Sequence, residues 1–197
     1  MNKITLAVMA IGTSFIASAA TINWSSGVMQ TPTSATDGTL SGNKITSSSG
    51  YAVTMYAFES LSAISYDAGD LFKWYQEDPS SQFKGLTAID GTVSMGASAT
   101  TATARGVISE DAGTTVYGAV LFVLTDSVSG KDLFYMENDG SIATAKSTKS
   151  LGSLALKIGG TGAAMAWTAV PSDVPEPTSA MLMLLGMAGL ALRRKRT

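Results

Sequence analysis

Two uncharged apolar segments bracket this chain, and they constrain the fold most, because neither can contribute to a soluble core. At the C-terminal end, Ala180 to Leu192 holds 13 almost wholly apolar residues, followed by Arg193, Arg194, Lys195 and Arg196. As a helix this segment spans roughly 20 Å at about 1.5 Å per residue. A hydrocarbon core is roughly 30 Å thick, so as a transmembrane helix the segment is marginal and must thin the bilayer, or use Thr178, Ser179 and the snorkelling Arg193 to reach the interface. The four basic residues are expected to stay on the cytoplasmic side. At the other end, Lys3 precedes an apolar stretch from Ile4 to Ile16, and Ala17-Ser18-Ala19 meets the small-x-small cleavage rule. This is the pattern of a secretory signal helix, with cleavage expected after Ala19 and Ala20 as the next choice. The chain thus divides into a signal peptide (1–19), an extracytoplasmic domain (20–171) and a tail (172–197).

Between the membrane segment and the domain stands Pro175-Glu176-Pro177. The two prolines fix their own φ and push Val174 and Glu176 towards extended conformations. The Glu176 carboxylate is therefore presented on a stiff strand just outside the bilayer. The Pro-Glu-Pro, the short apolar helix and the basic end together resemble the PEP-CTERM sorting signal of Gram-negative bacteria. That resemblance covers about residues 174–197. It implies that Pro175, Glu176 and Pro177 are read by an exosortase, a membrane cysteine enzyme that removes the tail, after signal peptidase has acted at the other end. It also implies passage through the inner membrane and a final place at the cell surface or outside the cell.

The overall net charge of −2 conceals an acidic domain. Between residues 20 and 174 there are eight Lys and Arg against 14 Asp and Glu, a net of −6. Without a basic stripe such a domain is a poor nucleic-acid binder, and the charge serves solubility. The chain has no Cys and no His. No disulfide can staple it, although the inferred compartment permits one. Zinc, copper and haem lose their usual ligands, and Cys–His and Ser–His–Asp catalysis have no base. Carboxylate chemistry, Ser–Lys chemistry and an oxygen-ligated calcium site remain.

Ser and Thr account for 40 of the 152 residues from 20 to 171, as expected for exposed faces of β-sheets. The fold class read from the pattern is mainly β: an antiparallel β-sandwich or open barrel with one covering α-helix. Thr21–Trp24 reads as a strand, residues 31–50 as turn-rich loop, and Tyr51–Phe58 as a second strand. Leu61, Ile64, Ala68, Leu71, Phe72 and Tyr75 recur with helical spacing, predicting a helix over 60–77 with Ser60 as N-cap and Pro79 setting its end. Phe72, Trp74 and Tyr75 suit core packing better than a carbohydrate platform.

Small and polar residues alternate from Gly91 to Thr103. Thr115 to Leu124 is the most apolar run outside the two ends, and predicts a central strand buried on both faces. Residues 126–131 form a turn, and Leu133–Met136 pairs back as a hairpin. Asn138-Asp139-Gly140 predicts another turn leading into Ser141–Thr144. Further strands are expected around Leu154–Ile158 and at Met165–Val170, the last ended by Pro171. The central apolar strand, its hairpin partner and Trp167-Thr168-Ala169-Val170 running towards Pro-Glu-Pro resemble a loose group of small β-rich PEP-CTERM proteins, a resemblance that bears on architecture only.

No catalytic residue, metal site or cofactor is predicted. The carboxylate neighbours Glu77-Asp78, Glu110-Asp111 and Glu137/Asp139 are better read as solvated loop charges than as a glycosidase pair, which needs two carboxylates facing each other across a cleft. Glu137-Asn138-Asp139-Gly140 has Tyr135 where a calcium loop needs its first Asp. Asn23-Trp24-Ser25 matches a glycosylation sequon by chance, and Gly159-Gly160-Thr161-Gly162 reads as a flexible turn. Two functions follow. The first is a non-catalytic surface or matrix protein with exopolysaccharide as its expected contact. The second is a carbohydrate-binding or carbohydrate-cleaving module, which would show an open groove lined by Trp24, Trp74 or Trp167.

Overall fold

The computed structural model describes residues 21–111, 113–144, 152–155 and 166–171. The fold grows around one strand, β8 (Thr115–Asp126). Its even-numbered side chains Val116, Val120, Phe122 and Leu124 enter one apolar cluster, and Ala119, Leu121 and Val123 enter a second on the opposite face. Alternation of this kind requires a strand covered on both sides, as the unbroken apolar run demands. Its antiparallel neighbours are β4 (Tyr51–Ser60) and β9 (Asp132–Thr144). Two-residue strands close the edges, β5 (Ile89–Asp90) beside β4 and β11 (Thr168–Ala169) beside β9.

A second sheet contains β1 (Ile22–Ser25), β6 (Thr92–Met95), β7 (Thr100–Arg105) and β10 (Gly152–Ala155), in the order β10-β1-β7-β6. Ile22 and Trp24 of β1, and Ala102 and Ala104 of β7, join the first cluster with Val53, Met55, Ala57, Phe134 and Met136 of the larger sheet. The small β7 side chains leave room for the Trp24 indole. It lies over Gly118, where a Cβ would fall inside the ring. Glycine is therefore required in the middle of the most apolar strand by close approach.

Several boundaries differ from those the sequence predicts. The helix α1 is short, Asp70–Glu77, and Ser60 ends β4 instead of capping a helix. Gly69 adopts φ 95°, a left-handed conformation that a right-handed helix cannot contain. Leu61 is consequently half exposed and lies outside the helical stripe. Residues 31–50 are not simply loop: β2 (Gln30–Pro32) and β3 (Leu40–Lys44) pair as a separate two-stranded sheet. Asn138-Asp139-Gly140 is no turn, since β9 runs through it. Gly118 pairs with Ser141 while Val120 pairs with Asn138, so β9 carries one extra residue there. A β-bulge has absorbed the turn-forming residues. Nor are the sheets wholly antiparallel, because β1 pairs with β10 in parallel.

Candidate functional site

The three tryptophans that a carbohydrate groove would expose are all buried, and each indole N–H donates within the protein. Trp24 donates to Glu59 Oε1 (2.6 Å), Trp74 to the Ser81 carbonyl (3.1 Å) and Trp167 to the Gln30 carbonyl (2.9 Å). Trp74 meets Tyr56 and Phe58 edge-on, with ring centroids 5.5 and 5.0 Å apart. The Phe72, Trp74 and Tyr75 group is thus part of the packing between α1 and the large sheet, where Phe72 stacks on Tyr135 at 4.3 Å.

Two carboxyl groups tie separate elements together. Glu59, at the end of β4, is 6% exposed. Besides the Trp24 bond, its Oε2 accepts the backbone N–H groups of Val107 (2.8 Å) and Ile108 (3.0 Å). One side chain therefore fastens β4 to β1 of the other sheet and to the segment that follows β7. Gly106 is small for the same reason: a Cβ there would collide with Glu59 Oε1.

Glu137 acts at a helix end. Its Oε2 accepts Gly69 N–H (2.7 Å) and its Oε1 accepts Phe72 N–H (2.8 Å). The first N–H groups of a helix lack intrahelical partners, and Gly69 supplies no capping side chain. A carboxylate from a neighbouring strand takes that role and faces the positive end of the helix dipole. An eight-residue helix has little stability of its own. Glu137→Ala is expected to cost about 1–2 kcal/mol by loss of these two charge-assisted bonds. Urea unfolding of the purified protein should show that loss, and Glu77→Ala should be nearly neutral. Glu77 makes only an exposed pair with Lys73 at 3.9 Å.

The remaining acidic pairs make no facing set. Asp78 accepts both the Ser80 hydroxyl and its backbone N–H, and these bonds hold its carboxyl below the usual range. Glu110 and Asp111 stand at the surface between β7 and β8. The helix-side tyrosines Tyr56, Tyr75 and Tyr135 have raised pKa values, chiefly through burial and then through Asp90, Asp132 and Glu137 respectively. Among the described residues no group of three carboxylates could share a metal ion. Asn23 of the sequon sits in β1 between two paired strands.

The residues that the sequence assigns to processing and membrane arrest, Pro175, Glu176, Pro177, Arg193, Arg194, Lys195 and Arg196, and Ala17, Ala19 and Ala20 at the other end, lie outside the described residues, as does Gly159–Gly162. Among the described residues no helix is long and apolar enough to cross a membrane. Sequence reasoning missed Glu59 and Glu137 as structural ties. An acid directly after the apolar Tyr51–Phe58 run, and another after Leu133–Met136, were the available signals.

Residues 173–196 match a family model described as the PEP-CTERM protein-sorting motif. No curated protein and no solved structure matches the chain.

Proposed function

This chain is a PEP-CTERM protein by its tail, handled by an exosortase from a membrane-anchored precursor, and we propose that its domain is a non-catalytic component of the cell surface or extracellular matrix. In this reading signal peptidase cuts beside Ala19 or Ala20, the enzyme recognises Pro175, Glu176 and Pro177, and Arg193–Arg196 keep the tail end in the cytoplasm of a Gram-negative cell. The delivered part is a β-sandwich with one covering helix. Support for the sandwich comes from the single apolar cluster to which both sheets contribute.

The observation that carries the non-catalytic reading is the inward packing of Trp24, Trp74 and Trp167. Aromatic surface spent on the core is unavailable as a saccharide platform, and the two most constrained carboxyl groups, Glu59 and Glu137, are engaged by N–H donors. Exopolysaccharide is then a matrix that the protein joins, rather than a substrate that it cuts. The test is fractionation of the host culture. The mature protein should partition with matrix polysaccharide, and purified protein should release no reducing ends from it. Release that is lost in a carboxylate variant which still folds would replace this reading with the hydrolase.

A further inference from the structure

The two covalent exits of the fold lie at opposite ends of the large sheet. Strand β11 runs antiparallel to β9, with Thr168 beside Tyr135 and Ala169 beside Phe134, and Val170 N–H donates to the Leu133 carbonyl (2.9 Å). The chain therefore leaves at Pro171, level with Asp132, where the β8–β9 turn ends. It enters at the other end, where the Ile22 carbonyl accepts Gly106 N–H (2.7 Å).

The surfaces at these ends differ. Around the Pro171 exit stand three turns, residues 46–50, 96–99 and 127–131, tied by Ser127 N–H to the Gly50 carbonyl and Ser47 N–H to the Gly96 carbonyl, both 3.0 Å. Their sequences are TSSSG, GASA and SVSGK, with Lys131 as the one cation and Asp126 and Asp132 flanking the last turn. At the apex Val128 is 92% exposed, the most exposed large apolar residue described. The opposite end carries Asp67, Glu110 and Asp111 in its loops and Arg105 at the end of β7, with Val107 at 74% exposure.

From these features we infer that the Val128 end of the domain faces the bilayer in the tail-bearing precursor, with Val128 touching the lipid interface and Lys131 over the headgroups. The inference rests on the anchored precursor proposed above. Chain length excludes the inverted orientation. From Pro171 to Ala180 there are nine residue steps, roughly 30 Å at full extension. The 12 residues of β8 span about 40 Å. Inverting the domain would put Pro171 about 40 Å above the surface, farther than the tether reaches.

Absence of cysteine makes the test clean. Val128→Cys and Val107→Cys, each in the full-length chain, take one environment-sensitive fluorophore at an exposed site. The chains are reconstituted into phosphatidylglycerol-containing vesicles doped with nitroxide lipid, and vesicle flotation is scored separately. Quenching at position 128 should exceed that at 107 several-fold. Equal quenching at both sites, stronger quenching at 107 or none at either, in protein that floats, overturns the orientation alone. Protein that fails to float overturns the anchored precursor and this inference with it.

Discussion

Replacing Glu59 with Ala should destabilise the domain by about 3–5 kcal/mol, against a total of roughly 5–15 kcal/mol for a domain of this class. The substitution strands the Trp24 indole N–H and the backbone N–H groups of Val107 and Ile108 in a buried place. Each lost partner costs about 1–3 kcal/mol, and the emptied volume adds to that. For a domain of about 150 residues the melting temperature should fall by roughly 10 °C or more. Glu59→Gln should recover only part of the loss, because its amide NH₂ would point at donors instead of accepting from them. Thermal unfolding followed by tryptophan fluorescence tests this directly, since Trp24 is one of the three reporters. A melting temperature within about 2 °C of the parent would show that Glu59 is not the tie between the sheets.

How much of this was legible in the sequence depended on whether the deciding interaction was local. The centre of the fold was legible because burial on both faces leaves an unbroken apolar run, and Thr115–Leu124 has no other use in a domain of this size. The β8–β9 hairpin followed from the turn residues at 126–131. The helix was half right. Its apolar spacing continued backwards through Ile64 and Leu61 by coincidence, while Gly69 in a left-handed conformation set the true start. Asn138-Asp139-Gly140 is chemically a turn, but a bulge accommodates the same conformational freedom and lets β9 continue along β8. Pairing of β1 with β10 joins residues 130 positions apart in parallel, and no local pattern encodes it. Glu137 looked like an ordinary solvated acid and Glu59 drew no reading at all, because their donors lie 35 to 68 positions away. The sorting motif was the most legible feature of all, since a linear signal is recognised from its sequence alone.

The second large effect concerns that motif. Glu176→Ala, or Ala at both Pro175 and Pro177, should leave folding unchanged, because the described fold ends at Pro171 with its edge strand already formed. Export should continue through the intact N-terminal signal. Processing should fall at least tenfold, leaving the apolar segment and its basic end attached. Uncut protein should then accumulate in the inner membrane, held by four basic residues that each favour anionic headgroups by about 1 kcal/mol. Immunoblots of inner-membrane and secreted fractions would separate the outcomes. A Glu176→Ala chain that is cut and delivered like the parent would reduce the tail to a plain membrane anchor.

Export and tail removal are tested together by intact-mass spectrometry of the parent protein recovered from outside its host's inner membrane. The account predicts a chain that begins at or next to Ala20 and has lost Arg193–Arg196 together with the apolar segment. A delivered protein that still carries residues 180–197 would contradict it.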